Sequence, residues 1–405
     1  MKWVFTVWLS FVMTISYSGA LLIPMDDTQK NHLKAYGIAF FTLQQNQEVN
    51  WLLNYRGGSF LIDATPLLEN ECTVRGVTVE KLTAIQVNSI LQQISSPNVN
   101  MDVIKLEKAP RIAVYSPKNE FITDDTDAVI AVLNYAEIPF LLLYDEEVLK
   151  DELVKYDWLH LHHEDFTGQH ERFLRGESSV IESKFQETLA LRLGYTTVPE
   201  MKLAVAKKIK VFCNSGGYLF AMCSAAETLD IALASDISTA MESNAEEEYH
   251  LDFSKTFAFE NFSLEESQSR RFSDINSGRN FYGSSKGYFT LFSFSAKWDV
   301  IPTLLTQNHT QVIKEFTGLT TAFNKAVVKP DVLILGESRT ESNVRYIYGE
   351  MGNGHWTFYG GHDPEGSPGR GRASTDLNTV PHSPGYRLIL NNVLFPSARR
   401  KKQKT

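Results

Sequence analysis

The chain has 405 residues, a formal net charge of −9 and 43% hydrophobic residues. It is too long for one small core, so either two or three domains or one large α/β unit is expected. The acidic balance excludes a general nucleic-acid binder, which needs a basic face for phosphates, and the ordinary composition excludes a disordered or collagen-like chain.

The first 20 residues have the pattern of a secretory signal peptide. Lys2 precedes an apolar run from Trp3 to Ile15, and small residues follow, with Ser18 and Ala20 at the positions that a signal peptidase recognises. The apolar run is shorter than the roughly 20 residues of a membrane-spanning helix, which disfavours the alternative of an N-terminal anchor. The sequence therefore predicts an exported protein, periplasmic or extracellular, with no transmembrane segment.

Residues 21–108 are predicted to form an N-terminal α/β segment. "LLIPMDD" predicts a strand and an acidic turn, and "NHLKAYGIAFFTLQ" predicts a helix because its apolar residues recur every three or four positions. "NWLLNY" predicts another strand, residues 79–94 a second helix, and "MDVIKL" a third strand before Pro110 marks a boundary. Arg56 is either an anion-binding residue or, as the simpler interpretation, a turn-forming surface residue.

Strands and helices alternate clearly from Arg111 onward. "RIAVYSP", "PFLLLYD", "YDWLHLHHEDF" and "YLFAM" predict strands, and "TDDTDAVIAVLNYAEI", "MKLAVAKKIKVFCNSGG" and "SAAETLDIALA" predict the helices between and after them. Strands that are apolar on both faces and alternate with helices are typical of a parallel sheet covered on both sides. The fold class predicted for residues 109–396 is therefore a doubly wound α/β domain.

Residues 236–300 interrupt this alternation with polar, aromatic-rich sequence, which indicates an insertion such as a hairpin or a lid. "DVLILGES" then predicts a buried strand, and "VRYIYGEMGNGHWTFYGG" predicts two pairing strands around the glycines at 352 and 354. Residues 397–405 form a basic tail. A solvated chain end is its simplest interpretation, and a weak contact with a membrane surface is the alternative.

Cys223 stands where an apolar strand runs directly into a helix, with Ala221 and Ala225 two positions to either side. A sharp strand-to-helix turn needs small neighbours, and it places the side chain at a helix N-terminus, whose positive end favours a thiolate. Cys223 is therefore the candidate nucleophile, with a small buried hydrophobe as the alternative. The latter is the interpretation of Cys213, which lies on an apolar helix. With Cys72 the chain has three cysteines, so at least one thiol is expected outside a disulfide.

A thiol nucleophile needs a base within reach, and the segment "HWTFYGGHDPE" offers two histidines. His362 is preferred because two glycines end the strand before it and place it in a loop at the sheet edge. Glu365 follows closely enough to orient its ring. His355 lies seven residues earlier, beside "GNG", and is interpreted as a turn or surface histidine.

These residues resemble the class I glutamine amidotransferase-like fold, a flavodoxin-like doubly wound sheet. The likeness covers roughly residues 109–396 and consists of a glycine pair, an apolar strand, a cysteine in a tight turn before a helix, and a late histidine near Pro-Glu. It implies Cys223 as nucleophile, His362 as base and Glu365 as orienting acid. The family's elbow is Gly-x-Cys-x-Gly-x-Gln. Alanines replace its glycines here, and Glu227 replaces its glutamine.

The chain as a whole also resembles an exported bacterial group of amidotransferase-like proteins whose members are often labelled asparagine synthetase B. The segments that carry this likeness are "LIPMDDTQKNHLKAYG", "DWLHLHHEDFTG" and "SPGYRLILNNVLF". The chain has neither the N-terminal catalytic cysteine nor the ATP-pyrophosphatase loop of an asparagine synthetase. That activity is therefore a third alternative, implied by the family label only.

The stretch "WLHLHHED" is the second chemical cluster. On a strand His160, His162 and Glu164 would share one face, and His163 and Asp165 the other. Two imidazoles and a carboxylate suit a metal, but alternate strand residues lie about 7 Å apart, which is long for ligands of one ion. The preferred interpretation is substrate binding without metal or cofactor, with backbone N–H groups receiving an oxyanion. The predicted substrate-binding residues are His162, His163, Glu164, Gly168, Ser224 and Glu227.

The leading functional hypothesis is an exported, cysteine-dependent hydrolase or amidotransferase-like enzyme with a small-molecule substrate. The thiolate of Cys223 would attack an amide or related carbonyl, His362 would protonate the leaving group, and water would release the acyl group. The alternative is a non-catalytic binding protein of the same fold for a polar or sugar-like ligand. The reactivity of the thiol separates the two.

Overall fold

A computed structural model of the chain describes residues 19–116, 127–162, 164–168, 177–235, 251–264, 273–277, 287–298, 311–314, 316, 318, 320–339, 341–366 and 375–398. Most of the predicted signal peptide and of the basic tail lies outside these ranges. So do His163 and a large part of the predicted insertion at 236–300. No helix among the described residues is long and apolar enough to cross a membrane.

The N-terminal segment contains a five-stranded sheet in which every neighbouring pair is antiparallel. Its strands are β1 (Ala20–Ile23), β2 (Val49–Leu53), β3 (Ser59–Asp63), β4 (Glu80–Leu82) and β5 (Asp102–Leu106), in the spatial order β4-β1-β3-β2-β5. The sheet ends at Leu106, and the next strand belongs to a second sheet. Residues 107–111 connect the two sheets.

Three helices accompany this sheet: α1 (His32–Gln44), α2 (Pro66–Val74) and α3 (Ala84–Ser95). Each begins at a residue whose side chain accepts a backbone N–H of the first turn, as helix N-caps do. The sequence predicted α1, missed α2, and placed the start of α3 too early. The reason for the last error is that residues 80–82 pair with β1 before Thr83 caps the helix.

The second sheet has ten strands in the described part of the chain. Five adjacent strands are parallel, in the order β15-β9-β8-β6-β7. They are β6 (Ile112–Tyr115), β7 (Leu141–Leu143), β8 (Trp158–Leu161), β9 (Tyr218–Met222) and β15 (Gly354–Tyr359). Strand β9 lies between β15 and β8, so Cys223 leaves the middle of three neighbouring parallel strands.

The other half of this sheet is antiparallel. It contains β10 (Tyr288–Leu291), β11 (Val312–Lys314), β12 (Phe323–Asn324), β13 (Leu333–Ser338) and β14 (Asn343–Met351). The α/β class is as predicted, but a wholly parallel sheet is not observed. The connections explain why: only two residues join β14 to β15, which permits a hairpin but not the crossover that parallel strands require. Strand β10 comes from the predicted insertion and pairs with β13.

Six helices lie in this part of the described chain: α4 (Ala128–Tyr135), α5 (Asp145–Leu149), α6 (Glu177–Arg192), α7 (Val198–Asn214), α8 (Cys223–Ala234) and α9 (Pro384–Leu394). They bury both faces of the parallel strands. In β6, Ile112 and Val114 pack in the core that contains residues of α1, α4 and α9, whereas Ala113 and Tyr115 pack in the core that contains residues of α7 and α8. Burial on both faces accounts for the uninterrupted apolar runs in the sequence.

The two sheets are joined through α1 and α9. The hydroxyl of Tyr36 on α1 donates to Oδ1 of Asn391 on α9 at 2.5 Å, and both residues are buried. Arg387, fully buried on α9, donates to the backbone carbonyl of Gly57 at 2.8 Å. The apolar core beside α9 is continuous with the core beneath the N-terminal sheet. The N-terminal segment is therefore packed firmly on the second sheet.

Candidate functional site

Cys223 adopts a left-handed backbone conformation at the junction of β9 and α8. Its φ is +51°, which costs an L-residue without Gly or Asn character roughly 1–2 kcal/mol. Met222 is still extended, with φ −122° and ψ 163°, and the helix begins at Cys223 itself. Ala221 and Ala225 are completely buried. The small neighbours and the strained backbone agree with the sharp strand-to-helix turn expected from the sequence.

Three neighbouring parallel strands end at the same level beside this turn. Tyr359 at the end of β15 is paired with Met222 at the end of β9, and Leu161 at the end of β8 is paired with Ala221. The residues that follow these strands are therefore brought to one edge of the sheet. They are His362 after β15, Cys223 after β9 and His162 after β8. The carboxyl edge of parallel strands is where open α/β sheets bind ligands.

Cys223 and His362 both lie against Gly318. A Cβ atom placed on Gly318 would be 3.2 Å from Sγ of Cys223 and 3.0 Å from Cβ of His362. The absence of a side chain at this position therefore lets the thiol of Cys223 and the Cβ of His362 approach the same point. Cys223 is 1% exposed and His362 is half-buried, so Gly318 covers the pair from outside.

A second histidine joins the pair to a buried carboxylate. The ring of His162 lies against the ring of His362, with 4.2 Å between their centroids. Nδ1 of His162 is 3.0 Å from Oδ1 of Asp127, and Nε2 of His160 is 3.3 Å from Oδ2 of the same residue. Asp127, His160 and His162 are each at most 1% exposed. A continuous row of polar groups therefore runs from Cys223 into the interior.

Asp127 is held by the start of α4. Its Oδ1 accepts the backbone N–H groups of Val129 at 2.7 Å and Ile130 at 3.1 Å. Burial acts to raise the pKa of Asp127, but the neighbouring imidazoles of His162 and His160 outweigh it and hold that pKa well below its usual value. The group is therefore a carboxylate in the folded protein.

The orientation of His160 is fixed from the other side. Its Nδ1 lies 3.1 Å from the backbone carbonyl oxygen of Phe220, which can only accept a hydrogen bond. Nδ1 therefore carries the proton, and Nε2 faces Asp127. Complete burial lowers the pKa of His160 against the opposing effect of the Asp127 charge, so the neutral ring is favoured.

Glu365 does not lie where the sequence placed it. Its Oε1 accepts the hydroxyl of Ser383, the N-cap of α9, at 2.7 Å, and its Oε2 is 3.9 Å from Nζ of Lys314. These contacts anchor the start of α9 and do not support an orienting role toward His362. The adjacent Asp363 is likewise engaged, accepting the hydroxyls of Tyr386 and Thr375.

The predicted substrate-binding residues differ in their burial and hydrogen bonding. Glu164 is buried, and its Oε2 accepts the backbone N–H of His162 at 2.7 Å. Ser224 is buried in the first turn of α8, where backbone N–H groups have no acceptor within the helix. The amide of Gly168 donates to the carbonyl of Asp165 at 3.3 Å, which leaves it poorly placed for an oxyanion. His163 lies outside the described residues.

Glu227 has a structural environment. It is completely buried, and its carboxylate accepts the hydroxyls of Ser273 at 3.0 Å and Thr320 at 2.7 Å. Thr320 in turn accepts the backbone N–H of Gly361 through its carbonyl. Glu227 therefore fixes the chain that carries Gly318 against α8. These contacts account for the acid at this position without any substrate.

Asp127 and Gly318 are the residues that the sequence did not identify. Asp127 had a weak signal, because an acid directly before an apolar helix is a typical N-cap, and the helix follows a strand of the parallel set. Nothing in the sequence near Gly318 indicates that it meets Cys223, since 95 residues separate them. Contacts of this kind depend on the tertiary fold alone.

The other two cysteines are structural. No disulfide forms among the three, and all are buried. Burial raises the pKa of Cys72 to about 11 and that of Cys213 to about 12, so both remain neutral thiols at pH 7. Sγ of Cys213 donates weakly to the carbonyl of His355 at 3.4 Å. The interpretation of Cys213 as a small buried hydrophobe agrees with these contacts.

Comparison with known proteins leaves the family open. No protein-family model and no curated protein matches the chain. Two solved structures from Salmonella typhimurium, the cytoplasmic proteins STM3548 and STM1381, are 12% and 11% identical, cover 72% and 71% of this chain and 100% and 99% of their own, and give TM-scores of 0.37. The GH42 beta-galactosidase Gan42B from G. stearothermophilus is 8% identical over 63% of this chain and 28% of its own, with a TM-score of 0.28. TM-scores below 0.5 carry no argument about fold or function.

Proposed function

We propose that the protein is an exported, cysteine-dependent hydrolase or amidotransferase-like enzyme with a flavodoxin-like doubly wound domain. Its substrate is a small molecule with an amide or related carbonyl group. The observation that carries this proposal is the left-handed Cys223 at the edge of the parallel strands, with His362 against the same glycine. A buried structural cysteine has no need of a strained backbone or of an imidazole beside it. Export is supported by the signal-peptide pattern of the sequence.

The position of Cys223 favours a nucleophile. The first residue of α8 lies at the positive end of the helix dipole, which stabilises a thiolate relative to the thiol. His362 lies on the adjacent strand end and can take the thiol proton. The thiolate then adds to the substrate carbonyl carbon, and the backbone N–H of Ser224 is available to the oxygen that becomes negative.

The remaining steps use the same groups. The imidazolium of His362 returns its proton to the leaving nitrogen or oxygen, the bond from that atom to the carbonyl carbon breaks, and an acyl-thioester of Cys223 remains. Water, deprotonated by His362, adds to the thioester, and the carboxylic acid and the thiol are released. A different acceptor nucleophile in place of water gives group transfer. The ring of His162, 4.2 Å from that of His362, limits how far the base can rotate.

A non-catalytic binding protein of the same fold is the second candidate, for a polar or sugar-like ligand. The observation that favours it is the cover over the thiol, since Cys223 is 1% exposed beneath Gly318. In such a protein the polar row at the sheet edge would bind the ligand, and the thiol would serve only as a small side chain. Both candidates use the same edge of the sheet, so the chemistry of the sulfur decides between them.

The experiment is alkylation of the folded protein with iodoacetamide near pH 7, followed by intact mass and peptide mapping. An enzyme is expected to take up one carbamidomethyl group per chain, on Cys223, at about ten times the rate of a free-solution cysteine or faster. Cys223→Ser should abolish the modification, and Cys213→Ser is the matched control that should retain it. A folded protein whose thiols react no faster than free cysteine would favour the binding protein.

A further inference from the structure

Three buried side chains converge behind the thiol site, from two different parts of the chain. One ligand atom from each of Asp127, His160 and His162 can be chosen so that all three lie within 4.8 Å of one another. His160 is in β8, His162 follows its last residue, and Asp127 precedes α4. All three side chains are at most 1% exposed. Burying two imidazoles and a carboxylate together is costly unless each polar atom is satisfied.

The facing atoms of Asp127 and His160 need a cation between them. Nδ1 of His160 donates its proton to the carbonyl of Phe220, so the neutral ring presents a lone pair at Nε2. That lone pair faces Oδ2 of Asp127 at 3.3 Å, and neither atom has another hydrogen-bonding partner in the described part of the chain. Two acceptors at this distance repel each other unless a proton or a metal ion lies between them.

The surroundings are those of metal ligands. Histidine ligands usually donate their second ring N–H to a backbone carbonyl or carboxylate, which fixes the tautomer, and His160 does so to Phe220. The carboxylate of Asp127 is fixed in the same manner, because the backbone N–H groups of Val129 and Ile130 hold Oδ1 and leave Oδ2 directed at His160. Both groups are therefore held in position before any ion binds.

We propose that Asp127, His160 and His162 bind one Zn²⁺ ion, with a fourth position left for water or a ligand. Zn²⁺ bound to nitrogen and oxygen at about 2.1 Å in a tetrahedron separates neighbouring ligand atoms by about 3.4 Å. The observed separation of 3.3 Å between Oδ2 of Asp127 and Nε2 of His160 is close to this value, and a small inward movement of the rings would bring ligand atoms that now lie within 4.8 Å of one another around one ion. The spacing of about 7 Å between alternate residues of a strand does not apply to these ligands, because β8 ends at Leu161 and His162 lies beyond the strand.

The burial of the site selects among the metals that two imidazoles and a carboxylate suit. A six-coordinate iron site with these ligands keeps three positions open for water or substrate. Side chains that are completely buried leave little room for three further ligands. Four-coordinate Zn²⁺ needs only one. The ring of His162 lies against that of His362, so the ion would be one imidazole away from the thiol site.

The proposal is independent of catalysis by Cys223. It is tested on the full mature chain, stripped with a chelator, dialysed and then titrated with Zn²⁺, with metal content measured by mass spectrometry. One equivalent of Zn²⁺ per chain is expected. Co²⁺ in place of Zn²⁺ should give the intense visible absorption of a tetrahedral site. Cys223→Ser should bind the metal as well as the parent protein does, which separates this proposal from the proposed enzyme.

Two variants remove one ligand each. His160→Gln and Asp127→Asn should both lose at least tenfold in Zn²⁺ affinity, and asparagine keeps the N-cap of α4 because it accepts the same backbone N–H groups. His355→Gln, at the other end of β15, is the control and should bind normally. Because a ligand variant can fold poorly, the parent protein is also melted with and without Zn²⁺, and its Tm should rise with Zn²⁺ concentration. Binding well below one equivalent, no rise in Tm, or unchanged affinity in His160→Gln would show that the cluster is only a polar network.

Discussion

The two sheets place their polar side chains in opposite ways. In the antiparallel N-terminal sheet, Arg56 pairs with Asp26 at 2.6 Å and with Glu80 at 2.7 Å, and their side chains are 25%, 31% and 44% exposed. In the parallel half of the second sheet, the polar groups that follow the strands are mostly buried and lie at one edge. Antiparallel strands send successive loops to opposite ends, whereas parallel strands carry every carboxyl end to the same side. The second arrangement therefore gathers at one edge the groups that follow several different strands.

Each region also contains a strained residue, and the comparison shows how little strain proves by itself. Arg56 has a φ of +47° and Cys223 a φ of +51°. The guanidinium of Arg56 is occupied by Asp26, Glu80 and Thr28 of the N-terminal segment, so the acidic groups that it binds belong to the chain itself. Cys223 lies instead against Gly318, which also lies against His362. The strain at Cys223 is interpreted as functional because of these neighbours.

The largest effect is expected from the histidine that the parallel edge brings to the thiol. His362→Gln should slow iodoacetamide modification of Cys223 by about 10²-fold near pH 7, because it removes the proposed base for the thiol proton. His355→Gln is the matched control, since His355 lies on the same strand at its opposite end, where Nδ1 contacts the hydroxyl of Tyr348 at 2.6 Å. Its rate should be unchanged. Equal slowing by the two substitutions would mean that the alkylation rate of Cys223 does not depend on which end of β15 carries the histidine.

The sequence predicted what local patterns determine. The apolar runs predicted β6, β8 and β9, and the small residues around Cys223 predicted the strand-to-helix turn. The glycines after β15 indicated that His362 lies beyond the strand end, where the structure places it. Glu365 was misplaced because nearness in sequence says nothing about direction: a turn sends its carboxylate to Ser383 at the start of α9. Strand β13 and the hairpin of β14 and β15 were predicted, but β10 was missed because it arises from a segment without clear alternation.

Contacts between distant segments set the limit of such predictions. Asp127 and Gly318 approach the thiol site only after the strands have paired, and no periodicity connects them to it. The sequence analysis placed His160 and His162 on one face. It assumed that a single straight strand contains both residues, and in such a strand the two side chains would be about 7 Å apart. The structure ends β8 at Leu161, and this early end lets both rings reach one carboxylate. The interpretation in which the two rings are too far apart for one ion and the interpretation in which they share one carboxylate therefore differ by one residue in the length of β8.

The second prediction concerns the junction of the two regions. Arg387→Met should lower the free energy of unfolding by about 2–4 kcal/mol, because the carbonyls of Met25 and Gly57 would lose their buried donor. Arg192→Met is the control, since that side chain is 60% exposed and its ion pair with Glu146 contributes little. Urea unfolding measures both. A cost below 0.5 kcal/mol at Arg387 would mean that the apolar contacts of α1 and α9 alone hold the sheets together.

The third prediction tests whether Gly318, which lies against Cys223 and His362, controls access to the thiol. Gly318→Ala should slow alkylation of Cys223 about tenfold, a rate change equivalent to about 1.4 kcal/mol. The new Cβ would be 2.9 Å from the backbone nitrogen of His362, and the hydrogen bond from Gly361 to Thr320 keeps the covering chain from lifting away. His362 is therefore the group that must move.

Gly194→Ala is the control for the general cost of replacing a glycine. Gly194 has a φ of +88° and open space around its Cα, so alanine there strains the backbone without touching the site. Its alkylation rate should equal that of the parent protein. A faster rate in Gly318→Ala would contradict the prediction, because it would show that the cover opens more easily than His362 moves.

The smallest effect is expected at the exposed ion pair of the N-terminal sheet. Burial acts to raise the pKa of Asp26, but hydrogen bonds from Arg56 and Thr28 and the charge of Arg56 outweigh it and lower the pKa to about 2. A carboxyl whose folded pKa lies below its unfolded value stabilises the protein above the unfolded pKa of 3.8, and this contribution is lost as the pH falls from 3.8 toward 2. Asp26→Asn should therefore cost about 1 kcal/mol at pH 7, a figure reduced by solvent screening of a partly exposed group.

The pH dependence of that cost decides whether the pair behaves as a surface pair. The difference in unfolding free energy between the parent protein and Asp26→Asn should be constant from pH 7 to pH 5 and should shrink by pH 3, as measured by urea unfolding at each pH. Added salt should reduce it as well, because the pair faces water. A difference that is as large at pH 3 as at pH 7, or that salt does not change, would mean that Asp26 is stabilised by hydrogen bonds rather than by charge. Asp26 and Asp127 would then differ in how deeply they are buried, and not in the kind of interaction that stabilises the charged carboxylate.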